Sequence, residues 1–251
     1  RRHSFPTRRS SDLTTSAGGI QLYFAGTSKV PVQAGLTAKA WNHVALVRIG
    51  TACTLYIGGA VNYSFTDSTS LSPATATVII GMAAHNSSEF FNGYMSNMRI
   101  VKGSGVYSST FTPSTSPLTA ITSTQLLTLQ GSQVIDASAN NFAISATGAP
   151  KVVTNTYPFP QTTTTVSNLN TLGSSYFDGT GDYLQLPYSV SLYPTSTGTD
   201  YTAECWVYVT DVTTLQFIFG TNNTTVANWQ ITLGSSLFSY DLSGTSGNIG
   251  T

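Results

Sequence analysis

Short β-rich runs of apolar residues, many with a period of two, recur along nearly the whole chain. In WNHVALVRIG (41–50), Val44, Leu46 and Arg48 alternate with Ala45, Val47 and Ile49. In CTLYIGGAVNYSF (53–65) two β-rich runs flank Gly58-Gly59, the spacing of a tight hairpin. Further strand-like runs are ATVIIGM, GYMSNMRIV, QLLTLQ, NFAISAT, SYFDG, DYLQLP, TAECWVYV, LQFIFGT, NWQITLG and LFSYDLSG. Gly, Asn, Pro and Ser separate them at roughly eight- to twelve-residue intervals, the rhythm of a sandwich or barrel. No window has the i, i+3, i+4, i+7 pattern of an amphipathic helix, and no apolar run reaches the roughly eighteen residues of a membrane-spanning helix. The pattern predicts an all-β protein.

Composition narrows this picture. Of 251 residues 40% are hydrophobic, enough to fill a sizeable core, yet only 8% are charged. Thr, Ser, Gly and Asn make up the difference, so hydroxyls and amides solvate the surface. That balance suits an extracellular or particle-bound setting, and an extracellular or virion (tail) location is the expectation.

The basic residues are unevenly placed. RRHSFPTRRSSDL (1–13) carries Arg1, Arg2, Arg8 and Arg9, four of the ten Lys/Arg. A basic arm for nucleic acid or membrane is the ordinary reading of such a block. His3 to Leu13, however, resembles a widely used sequencing adapter translated in one frame, so residues 1–13 are read as non-native and the natural N-terminus is expected elsewhere. The rest has six Lys/Arg against nine Asp/Glu, a formal charge of −3, and no basic patch. Neither a nucleic-acid partner nor membrane insertion is expected.

Four segments resemble one family. FFNGYMSNMRIVKGSGVYSSTFTPSTSPLT (90–119) resembles the closing strand of a laminin-G-like domain of the concanavalin A-like lectin/glucanase jelly-roll class, in the version found in phage tail and secreted bacterial proteins. WNHVALVR with LYIGGAV resembles its central hairpin, and SSYFDGTGDYLQLP and YTAECWVYV its early strands. The resemblance implies a jelly-roll β-sandwich. Here the early motifs follow the late ones, so residues 14–118 read as the C-terminal part of one sandwich and 119–251 as the N-terminal part of a second, two incomplete tandem copies. GIQLYFAGTS ending at Ser28 and LFSYDLSGTS ending at Ser246 repeat with an offset of 218 residues, a period suited to whole domains. Two such halves should either expose apolar faces and open edges or pack on each other.

The chemistry available is sparse. Some jelly rolls of this class are glucanases, and retaining glycoside hydrolysis needs two carboxylates about 5–5.5 Å apart. No strand run carries two acids two residues apart, and Glu204 stands alone beside Trp206. His43 reads as a strand-surface histidine and His85 as a loop histidine, and serines are too abundant to mark a triad. Cys53 and Cys205 lack ligand spacing and read as buried free thiols. Some laminin-G-like domains bind Ca²⁺, which takes six to eight oxygens, and Asp178 and Asp182 in FDGTGDY are the candidate metal ligands. The same residues suit an ordinary Asp-Gly turn, the favoured alternative.

Aromatic faces are the usual platform for sugars. Trp41, Trp206 and Trp229 lie in strand runs, which suggests core packing, whereas Tyr94, Tyr107, Tyr183, Tyr188 and Tyr193 lie nearer turns. The leading expectation is a non-catalytic module that binds a glycan or another cell-surface polymer, within a longer multi-domain chain. A structural spacer in a β-rich fibre is the alternative, and a glycoside hydrolase fragment the third.

Overall fold

A computed structural model describes residues 19–24, 27–33, 35–70, 77–83, 89–160, 172–196, 198–222 and 229–234. Its strands are β1 (Gly19–Phe24), β2 (Thr27–Gln33), β3 (Trp41–Ile49), β4 (Ala52–Ile57), β5 (Ala60–Thr66), β6 (Thr77–Ile80), β7 (Asn92–Lys102), β8 (Thr124–Thr128), β9 (Ser145–Thr147), β10 (Lys151–Val153), β11 (Ser174–Asp178), β12 (Tyr183–Leu186), β13 (Tyr201–Val209), β14 (Gln216–Asn222) and β15 (Trp229–Gly234). A single 3-10 turn, Val190–Leu192, is the only helical element among the described residues.

The strands form two antiparallel sheets. One has the order β2-β1-β15-β14-β6-β12-β9, the other β10-β11-β7-β13-β3-β4-β5, with β8 also on β7. β11 pairs with the first part of β7 and β8 with the last part, so they share one edge of that long strand. The fold is a concanavalin A-like β-sandwich. Strands from 19–118 and from 119–234 interleave in both sheets: β13 lies between β7 and β3, and β6 between β14 and β12. The two stretches pack on each other.

One apolar core fills the space between the sheets. β13 shows how the period-two pattern builds it: Ala203, Cys205, Val207 and Val209 enter the main core, while Thr202, Glu204, Trp206 and Tyr208 point the other way. Ile20, Leu22, Val78, Ile80, Ile218, Phe219, Ile231 and Leu233 close it from the opposite sheet. Complete removal of such side chains from water, at about 1.5–3 kcal/mol each, is the main stabilising term.

The GG turn between β4 and β5 forms as read, with φ of 58° at Gly58 and 79° at Gly59. A Cβ on Gly59 would sit 2.0 Å from Phe111 O, so that position also requires glycine for close approach. Some expected runs are shorter, since NFAISAT yields only β9, and the sequence reading lacks β10 altogether. LFSYDLSG lies outside the described residues.

A bulge in β7 breaks the alternation. Pairing with β13 shifts register between Glu204↔Arg99 and Trp206↔Ser96, and Asn97 adopts φ 52°. The extra residue lets Tyr94 and Ser96 share the outer face with Arg99, whereas strict alternation would drive Arg99 into the core and turn Met98 outward. Asn97 holds the bulge: its N–H donates to Leu129 O, and its Oδ1 accepts from Leu118 N.

Candidate functional site

The outer face of the second sheet carries a row of four aromatic rings from four neighbouring strands. Tyr176 on β11 is opposite Tyr94 on β7, Tyr94 is opposite Tyr208 on β13, and Tyr208 is opposite Trp41 on β3. Ring centroids are 5.0 Å apart for Tyr176–Tyr94, 5.6 Å for Tyr94–Tyr208 and 5.7 Å for Tyr208–Trp41. All four are half-buried. Inter-ring angles of 46°, 82° and 66° make the row a ridged surface, not a flat one.

Polar groups border the row. On one side Asp178 is opposite Asn92, and Thr210 Oγ1 donates to Asn92 Oδ1 at 2.7 Å. At one end Lys151 is opposite Tyr176 on the edge strand β10 and is exposed. At the other, exposed Lys39 donates its backbone N–H to Val209 O, two residues before Trp41.

Further along the same face lies a buried charge cluster centred on Glu204. Arg99 Nε donates to Glu204 Oε1 at 2.8 Å and Arg99 Nη2 approaches it at 2.6 Å. Tyr107 OH donates to Oε2 at 2.8 Å, and His43 Nε2 lies 3.0 Å from that oxygen. A carboxylate only accepts, so His43 donates through Nε2, and its Nδ1 has no partner among the described residues. Burial pushes the Glu204 pKa up, but the His43 hydrogen bond, the Arg99 charge and Tyr107 outweigh it and hold the carboxyl below its usual range. Burial, and then the Glu204 charge, push the Tyr107 phenol well up.

The segment 103–118 covers this cluster. Tyr107 and Phe111 stack at 3.5 Å and 4°, and Phe111 meets His43 and Tyr56 edge-on at 5.6 and 5.4 Å. Backbone bonds fasten the segment: Gly103 N donates to Asp200 O, Val106 N to Thr202 Oγ1 and Phe111 N to Gly59 O. Glu204 is thus a fully buried, ion-paired carboxylate.

Several sequence readings change here. His43 is not a surface histidine; it is 1% exposed because the strand face it occupies is covered. Glu204 is not alone, and its partners come from β3, β7 and the covering segment. Trp41 and Trp206 are half-buried on the outer face and lie outside the core, and Phe159 caps Trp206 at 6.0 Å. Nothing in local composition marks Tyr176 and Tyr208, which the sequence reading passed over. Tyr107 packs on Phe111 while its hydroxyl donates to Glu204, Tyr193 lies in the core, and Tyr188 stacks on Tyr193 at 6.1 Å. Cys53 and Cys205 are free and buried, and burial pushes the Cys53 thiol up to about 12 and the Cys205 thiol higher still. His85 lies outside the described residues.

Asp178 and Asp182 both accept backbone hydrogen bonds. Asp178 Oδ1 accepts from Thr180 N at 2.7 Å and from its Oγ1 at 2.9 Å. Asp182 is 3% exposed; its Oδ1 accepts from Ala149 N at 2.6 Å and its Oδ2 from Asp178 N at 3.2 Å. Asp178 bonds its own turn through Thr180, whereas Asp182 ties that turn to the loop at Ala149. Among the described residues no group of three His, Cys, Asp or Glu could hold a metal ion.

The two antiparallel sheets form a β-sandwich of the concanavalin A-like class, with an aromatic row on one outer face. Residues 7–104 match the family model described as the concanavalin A-like lectin/glucanases superfamily, of laminin-G type. Comparison with curated proteins and with solved structures finds no match. No helix among the described residues is long and apolar enough to cross a membrane.

Proposed function

We propose that the chain is a non-catalytic carbohydrate-binding module, which attaches a secreted or virion-borne protein, such as a phage tail component, to a glycan or related surface polymer. The in-register row Tyr176, Tyr94, Tyr208, Trp41 carries this reading. Neighbouring strands lie about 4.7–4.9 Å apart, comparable to the advance of one pyranose unit along an extended polysaccharide. A sugar chain crossing the strands therefore meets one ring per strand. The apolar faces of its pyranoses pack on the aromatics while Asp178, Asn92 and Lys151 reach hydroxyls at their edges. Glu204, a fully buried carboxylate on this face, is held ionised by the His43 hydrogen bond and the Arg99 charge, which supports binding without hydrolysis.

A glycan array with the wild type and with Trp41→Ala and Tyr94→Ala tests this. Selective binding that both variants weaken supports the module. A folded wild type that binds no glycan, or variants that bind as well as wild type, would overturn it and favour a spacer.

A further inference from the structure

Neither 19–118 nor 124–234 contains a complete sheet. β1 borders β15, β6 sits between β14 and β12, and β7 is bordered by β8, β11 and β13, every one of these partners lying in the other stretch. β13 has both edges paired by strands of the other stretch, β7 and β3. The chain passes between the two stretches once, through Thr119–Ser123, of which 119–122 are exposed. The sandwich is therefore two complementary parts joined by one short surface connection.

We propose that these parts exchange between copies of the chain, the 19–118 part of one molecule closing on the 124–234 part of a second. Exchange reproduces every strand pairing of the closed monomer and alters only the path of the connection, so concentration decides the balance. The sequence carries the mark of such interchange. β1 lies in GIQLYFAGTS and pairs with β15 from Gly19↔Gly234 to Phe24↔Trp229. A second alternating run that also ends in Gly-Thr-Ser, LFSYDLSGTS, follows β15 in the sequence. The position beside β15 is thus filled by a strand from the other stretch, whichever molecule supplies it. An unpaired sheet edge is the natural template for such a strand.

The test uses full-length chains with two different tags, one carrying Tyr94→Cys and the other Tyr176→Cys. These residues are directly opposed in register, within the Cα separation of roughly 4.4–6.8 Å that a disulfide spans. The chains are unfolded together, refolded under reductant at several concentrations, then oxidised, and masses are read by light scattering and gels. Exchange predicts a mixed-tag disulfide whose yield rises with concentration. A chain carrying both substitutions serves as the reference and should close its own bridge. If that reference closes while mixed single variants never link at any concentration, exchange is refuted. If the reference also fails to close, the β7/β11 seam on which the proposal stands is refuted.

Discussion

Trp41 lies directly opposite Tyr208 across the β3/β13 seam, with ring centroids 5.7 Å apart at 66°. The two residues come from opposite halves of the chain, and only the pairing of those halves extends the contact into a row. The row's end is therefore a sensitive place to test binding. Trp41→Ala should weaken glycan affinity about tenfold, the effect of losing roughly 1.4 kcal/mol of aromatic contact, within the range known for ring interactions. Calorimetric titration checks this, and unchanged far-UV circular dichroism shows that the fold is retained.

Glu204→Gln removes the negative partner of Arg99 within a fully covered site. Leaving a buried charge uncompensated costs about 3–5 kcal/mol, so the variant should melt on the order of 10 °C lower. Replacing Glu204 and Arg99 together by apolar residues should recover much of the loss. Differential scanning calorimetry distinguishes these outcomes.

Acid should act through the same carboxylate. The folded-state pKa of Glu204 lies below its ordinary 4.5, so the unfolded chain binds a proton more readily and folding is favoured while the group is ionised. That stabilisation is complete above the ordinary value and is lost as pH falls through the lower folded value. Urea midpoints measured from pH 7 downward should fall below about pH 4.5, and Glu204→Gln should flatten the decline.

The thiols of Cys53 and Cys205 are buried and their ionisation is pushed up. At pH 8 a thiol reagent should titrate neither in the native protein and both in denaturant. Rapid reaction of the native protein would show that the core opens.

Asn97→Ala should destabilise by about 1–3 kcal/mol, because Leu118 N loses its buried acceptor and alanine tolerates φ 52° poorly. Asn97→Gly removes the strain but not the lost bond, and should fall between alanine and wild type. Urea denaturation ranks the three.

Chelation should leave the melting temperature unchanged, since Asp178 and Asp182 already accept hydrogen bonds from Thr180, Ala149 and Asp178 N. A shift on adding EDTA, restored by Ca²⁺, would contradict the turn assignment.

Strand identity was legible in the linear pattern, because side-chain direction in a strand alternates locally, but the inward face was not, since Trp41 and Trp206 read as core residues and stand on the outer face. Val44 and Leu46, the GG hairpin and the alternation of Ala203, Cys205 and Val207 need only neighbouring residues to be read. Two features escaped that logic. Arg99 reaches Glu204 through the bulge at Asn97, which reverses the parity of β7 and depends on bonds from Leu118 and to Leu129. The aromatic row depends on the register of four strands drawn from both ends of the chain, and no local window encodes which tyrosine will stand beside Trp41. Alternation is a property of one strand and is written in the amino-acid order; neighbourhood across a sheet arises only when the core closes and sets the strands against one another.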